Sequence, residues 1–368
     1  MIPRTPILSF AGALISVLGG PSHAQTYPAI TGELEVEFQN DRAYAVPAGA
    51  RRTNDLFTKT ELGLALFATK ELSLQSGFVL EPVRSAERSR AFQDHGLYVE
   101  KLFANYENEN FSTYLGKFNP GFGIAWDKAP GIYGADFSED YELTERLGLG
   151  GSVKYHGLDL GEHEFGVAVF TADTSALSNS AFTRPRAGEP TTTRPRRLHR
   201  ANGGSSNTEA LRSFSLTLDG GEFRLLPGLS YHVGLARQHP GADGTRHEFG
   251  LVGAVQYAWQ ITKLWTITPL AEYAAVRNVG GADGTHRSYL TAALAVSRGH
   301  YSASVSHTKR WVDMPDDAGP DQRDRLTTAS FGYAFDFGVE ASVGWKRERV
   351  DGAHADTFGA QLRYSYRF

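Results

Sequence analysis

The chain has 368 residues, 41% of them hydrophobic and 12% aromatic, with 40 glycines, no cysteine and a formal charge of −4. So small a net charge offers no electrostatic footprint for a nucleic-acid partner, and without cysteine neither a disulfide framework nor a thiolate metal site can be built. Length alone suggests two soluble domains, but the spacing of the apolar residues speaks for one.

At the amino end, Arg4 precedes the apolar run ILSFAGALISVLGG, followed by small residues at Ser22 and Ala24. This reads as a signal peptide cut after Ala24, too short for a stable bilayer span. Residues 1–24 are therefore set apart, and 25–368 are expected to form a single domain. No later apolar stretch is long enough for a membrane helix, so an exported membrane chain must cross with the strands of a closed barrel. A wall that is apolar outside and polar inside also accounts for the slightly negative mean hydropathy.

Period-two segments then recur to the end of the chain. Residues 31–40 set Leu34, Val36 and Phe38 against Glu33, Glu35 and Glu37; 57–68 present Leu62, Leu64 and Leu66; and 72–83 present Leu72, Leu74, Phe78 and Leu80. Opposite faces of a strand follow from this alternation, one for lipid and one for water. Segments 95–106 and 111–118 are expected as strands four and five but lack clean alternation, which suits protein contact on both faces, as at a subunit interface, and a misplaced strand boundary equally. Further strands are expected at 149–156, 164–172, 211–218, 229–237, 247–259, 264–276, 287–297, 301–311, 326–336 and 338–347. The last, 358–368, reads FGAQLRYSYRF, with Phe358, Leu362, Tyr364, Tyr366 and Phe368 on one face and Arg363 and Arg367 on the other. About ten tilted residues of this kind cross a bilayer.

The connections alternate between short and long, which orients the barrel: short periplasmic turns, long outer loops. The third outer connection, 119–148, is too long to be idle in a compact domain. The fourth, 173–209, carries TRPR at 183–186 and again at 193–196. Two later outer loops share GADGT, at 241–245 and 281–285, where Asp-Gly suits a tight hairpin turn better than a calcium site.

Sixteen strands, short turns on one rim, a long third outer loop and a terminal phenylalanine together resemble the general porins of Gram-negative outer membranes. The resemblance is one of architecture over the whole mature chain; the PEFGG sequence of the enterobacterial third loop is absent. It implies an all-β transmembrane antiparallel barrel whose third loop folds into the lumen. It also implies passive diffusion of small hydrophilic solutes and ions without a cofactor, a homotrimer in outer-membrane lipid, and recognition of the last strand by the barrel-assembly machinery.

The third loop carries Asp127, Asp136, Glu139, Asp140, Glu142 and Glu145 against Lys128 and Arg146. Carboxylates at a constriction favour cations. On the wall, Lys154, Arg310, Lys346 and Arg363 have the inward parity, as do Glu33, Glu35, Glu37 and Glu272, and opposed charged walls set up a transverse field. The alternative is a loop folded outward as a lid, with these charges merely solvated. The fourth loop is basic at Arg184, Arg186, Arg194, Arg196, Arg197 and Arg200, which suits lipopolysaccharide phosphates or a solvated loop equally.

Rival readings are a substrate-specific channel, with Phe122, Trp126, Tyr133 and Phe137 as a sugar-stacking slide, a plugged adhesive barrel, and a barrel enzyme. Catalysis finds little support: there is neither HExxH nor GxSxG, the histidines are scattered, and the glycines at 148–151 open a strand rather than a helix.

Overall fold

The computed structural model describes residues 26–157, 160–189, 193–315 and 318–368; the signal peptide expected at 1–24 lies outside them. The strands are β1 (Ala29–Ala45), β2 (Thr53–Phe67), β3 (Leu72–Pro82), β4 (His95–Glu107), β5 (Phe111–Phe118), β6 (Arg146–His156), β7 (Glu162–Ala172) and β8 (Ser213–Gly221). They continue with β9 (Leu229–Gln238), β10 (Glu248–Tyr257, prolonged by Trp259–Gln260), β11 (Trp265–Arg277), β12 (His286–Arg298), β13 (Tyr301–Asp313), β14 (Gln322–Ala334), β15 (Val339–Val350) and β16 (Ala353–Arg367). Each pairs antiparallel with its chain neighbours, and β16 returns to β1, so sixteen strands close a barrel with no free edge. At the seam Glu33 stands opposite Arg367 and Phe38 opposite Leu362. Phe368 completes it, its N–H donating to Gly32 O at 3.0 Å and its carbonyl accepting from Gly32 N at 2.9 Å.

Burial is inverted relative to a water-soluble protein. Leu66, Leu74, Leu115, Val153, Leu251, Val305 and Leu362 are exposed on the outer face, whereas Ser73, Gln75, Asn105, Ser112, Ser152, Thr308 and Thr328 are buried on the inner one. Apolar side chains cover the surface that meets lipid, and polar ones satisfy one another inside. Ser112 and Ser152 pair at 2.9 Å, Thr291 and Thr308 at 3.0 Å, and Ser306 and Thr328 at 2.7 Å. Trp259, Trp265, Tyr301, Phe335, Phe337, Tyr366 and Phe368 form an exposed aromatic group near the short turns.

Each expected strand is present, with shifted ends. The first and last run beyond the expected 31–40 and 358–368 because the ladder continues past the lipid band, where alternation is no longer needed. β8 begins at Ser213, since Leu211 and Arg212 still belong to the preceding loop. The broken alternation of β4 has a local cause. Gly77 pairs with Lys101 and Phe78 with Val99, so Glu100 is an extra residue. This β-bulge reverses the parity, turning Tyr98 inward before it and Phe103 and Asn105 inward after it. In β5, Gly116 at φ 142 lies close against β4, where a Cβ would stand 2.4 Å from the Leu102 carbonyl. The two GADGT loops are not independent tight turns. The Thr245 and Arg246 N–H groups both donate to Gly281 O, and Arg246 pairs with Asp283 at 3.1 Å, so the loops clasp one another.

Candidate functional site: the third outer loop and its wall

The loop 119–145 leaves the wall where the ladder of β5 ends. Pro120 has no N–H to continue a ladder, and Asn119 braces both ends of the loop, donating to Glu100 at 2.7 Å and accepting from Glu145 N at 2.9 Å. The Phe122 carbonyl meets His232 Nε2, whose other ring nitrogen lies 2.8 Å from Asp219. The short helix α1 (Ala125–Lys128) follows. The first N–H groups of a helix need acceptors. Glu272 of β11, 2% exposed, supplies one, accepting from Ile124 N at 2.7 Å, from Ala125 N at 3.1 Å, and from the Tyr141 hydroxyl further along the loop.

Beyond α1 the loop meets the inner wall repeatedly. Ile132 N donates to Ser330 Oγ at 3.2 Å, the Tyr133 hydroxyl to Asp41 at 2.6 Å, and Ser138 lies 3.3 Å from Thr291. Lys346 pairs with Asp136 at 2.7 Å and Arg310 with Asp140 at 2.7 Å; Arg310 is held in turn by Asp324 at 2.8 Å. The inner side of the loop packs Phe122, Tyr141 and Leu143 onto Phe170, Val252, Val276 and Tyr289, a buried apolar cluster inside a polar barrel.

The acids named from the sequence thus separate by environment. Asp136 and Asp140 are neutralised against Lys346 and Arg310, two of the basic side chains of inward parity. Glu145 turns away to Lys117 at 2.9 Å and to Arg194, whose guanidinium lies 3.6 Å over the Tyr98 ring. Asp127, Glu139 and Glu142 make no ion pair with a described residue, and they sense Lys59, Glu61, Glu81, Glu100 and Lys101 on β2, β3 and β4. Burial pushes the Asp127 carboxyl up to about 7; burial, then the Glu100 and Glu139 carboxylates, push Glu142 up to about 8. On the wall, Arg363 pairs with Glu340 at 2.9 Å and stands 3.8 Å from Glu37, while Lys154 pairs with Glu107 at 2.8 Å.

Three of the aromatic residues considered as a sugar slide are turned to the wall: Phe122, Tyr133 and Phe137 are 3%, 3% and 5% exposed. Trp126 keeps a partly open face, its indole N–H held by Gly123 O at 2.8 Å. Of the fourth-loop arginines, Arg194 is drawn inward to Glu145, whereas Arg186 pairs with Asp94 while remaining exposed. Arg184, Arg197 and Arg200 stay exposed. The anchors Asn119, His232, Asp41 and Ser330 carried no sequence signal. The apolar cluster did carry one, since Phe170, Val252 and Val276 are apolar at inward parity, where polar residues are the rule.

Comparison with known proteins places this geometry. A family described as a protein of unknown function, DUF481, matches residues 222–335. No curated protein matches. Among solved structures, OprB of Pseudomonas putida superposes with a TM-score of 0.61 at 9% identity, covering 92% of this chain and 94% of that one. OmpF of Salmonella typhi, in complex with daunomycin, gives 0.60 at 11% identity over 92% and 97%. The outer-membrane channel DcaP of Acinetobacter baumannii gives 0.55 at 10% identity over 92% and 96%. What is shared is the fold. A closed sixteen-stranded antiparallel barrel is common to this chain and to outer-membrane porin structures.

Proposed function

We propose that this protein is an outer-membrane channel for passive diffusion of small hydrophilic solutes and ions, weakly cation-preferring, with loop 119–145 as its constriction. The observation that carries the reading is the division of the loop acids. Asp136 and Asp140 fasten the loop to β15 and β13, which leaves Asp127, Glu139 and Glu142 without ion pairs to described residues, on the side of β2, β3 and β4. Water then runs between that loop face and the wall carrying Lys59, Glu61, Glu100 and Lys101. Unpaired carboxylates beside a water path favour cations. The outer-membrane channel DcaP among the structural neighbours supports the reading. Export by the 1–24 signal peptide, assembly through the β16 end, a homotrimer, and contact of Arg184, Arg197 and Arg200 with lipopolysaccharide phosphates belong to the same proposal.

The test is single-channel conductance of the refolded mature chain, with reversal potentials in a salt gradient. Stable, mildly cation-preferring steps are expected. In the combined variant Asp127→Asn, Glu139→Gln, Glu142→Gln the preference is expected to vanish while Asp136→Asn leaves it nearly intact. A folded protein that conducts nothing, or an unchanged reversal potential in the combined variant, overturns the assignment.

A further inference from the structure

Where the outward face of the barrel leaves its apolar band, basic side chains stand side by side across β13–β16. Lys309 is opposite Arg325, Arg325 opposite Arg349, and Arg349 opposite His354. All four are exposed, and their chain neighbours fix which face they take. Thr308, Asp324 and Leu326 are buried on the inside, Arg310 and Lys346 reach the third loop, and Glu348 joins Lys346 at 3.4 Å. The row therefore points away from the lumen, near the ends of these strands that lead into the outer loops. Like charges directly opposite one another on neighbouring strands are destabilising.

The acids of this surface are already engaged. Asp313 and Asp321 pair with Arg323 at 2.9 and 3.2 Å, and Asp356 with Arg347 at 2.8 Å. Lys309, Arg325 and Arg349 make no ion pair with a described residue. One row lower, His307 lies 2.8 Å from Thr327. Beneath that row Leu294, Val305, Ala329, Trp345 and Phe358 stand opposite one another as an unbroken apolar belt. Three unneutralised cations just above a lipid-facing belt lie where headgroup phosphates lie, and guanidinium forks suit phosphate. The three span two strand spacings, about 10 Å, so two phosphates on one headgroup fit the row better than one. Lower on the same face, an apolar groove of about 380 Å³ runs over Ala341 and Ala360 between Phe38, Phe331, Val343 and Leu362. Val343 is six residues from Arg349. That is about 20 Å along the strand and, at the usual barrel tilt, about 15 Å into the bilayer, the depth of one leaflet.

We infer that the outward surface of β13–β16 is a docking face for a multiply phosphorylated lipid of the outer leaflet, the lipid A part of lipopolysaccharide. Its phosphates lie on Lys309, Arg325 and Arg349, and one acyl chain runs down to the groove over Ala341 and Ala360. The inference rests on the outer-membrane placement in the channel reading but not on conduction, and it uses none of the fourth-loop arginines.

The test is native mass spectrometry of the refolded mature chain in detergent, with bisphosphorylated lipid A, its monophosphorylated form and phosphatidylglycerol as probes. The first two carry the same acyl chains and differ only in phosphate; the third is the competing lipid source. Bisphosphorylated lipid A is expected to bind about tenfold more tightly than either of the others, a difference of about 1.4 kcal/mol. The triple variant Lys309→Gln, Arg325→Gln, Arg349→Gln is expected to lose that advantage. Ala341→Leu with Ala360→Leu, which fills the groove, is expected to weaken lipid A several-fold. Arg184→Gln, Arg197→Gln, Arg200→Gln is expected to retain the advantage, which separates this face from the fourth-loop contact. Conductance of the same preparations reports on the channel separately: lipid A preference without conduction overturns the channel and leaves the docking face, and conduction without the preference does the reverse. Heat-modifiable migration checks the fold of each variant. Should the triple variant fail to fold, Arg325→Gln alone removes the middle charge and is expected to weaken lipid A about threefold. Phosphatidylglycerol bound as tightly as lipid A by the parent protein, or undiminished lipid A binding in a folded triple variant, overturns the inference; undiminished binding in the groove variant overturns the acyl-chain placement.

Discussion

Glu272 receives the Ile124 and Ala125 N–H groups and the Tyr141 hydroxyl, and so joins the start of the third loop to its end. Each donor left buried without it costs about 1–3 kcal/mol. Glu272→Ala is therefore expected to loosen the loop, seen as increased open-channel current noise and a lower temperature for the heat-modifiable shift. Glu272→Gln, with one amide oxygen still able to accept, is expected to fall between; a quiet Ala variant would place the anchor elsewhere. The unpaired acids make selectivity depend on pH. With Asp127 near 7 and Glu142 near 8, both are protonated and neutral in acid and become charged as pH rises through those values. Cation preference is expected to be weak at about pH 5 and to grow up to about pH 9, read as a shift of reversal potential at fixed salt gradient. These roles were only partly legible in the sequence. It showed which residues are acidic, but not that Asp136 and Asp140 would be claimed by Lys346 and Arg310. Partners 210 and 170 positions apart in the chain leave no local pattern.

The strands were legible element by element because their signal is local. A period of two states which face each side chain takes, and turn residues punctuate the runs. β4 resisted that reading because one inserted residue shifts the period: 95–99 and 101–107 each alternate, out of phase. Deleting Glu100 is expected to leave the alternation continuous, because Phe78 already faces Val99 and Gly77 already faces Lys101, so the two phases rejoin in register. Tyr98 keeps its 2.6 Å bond to Glu81 and its place beneath Arg194, while the Asn119 amide loses its 2.7 Å acceptor. The folded fraction on refolding, measured by heat-modifiable migration, is expected to change little; a severe fall would mean that the bulge itself is needed to shape the strand.

The barrel is held by a seam in which the last residue meets nearly the first described one. The Phe368 ring occupies the space above Gly32, where a Cβ would stand 2.5 Å from the ring. Gly32→Val is expected to displace the ring and lower the folded yield, and Gly32→Val combined with Phe368→Ala to recover part of it, since the smaller residue makes room. Failure of any recovery would place the damage in the ladder rather than in the ring contact. By itself the sequence determined the strand count, the lipid-facing and inward-facing sets and the identity of the long third loop. All of these follow from nearest-neighbour periodicity in a medium that penalises every unpaired backbone group. Only the tertiary structure decided which wall the third loop packs against and which of its acids make no ion pair among the described residues. Those outcomes depend on contacts between β9–β16 and a loop far away in the chain, chosen by shape and charge across the lumen rather than by any repeat along it.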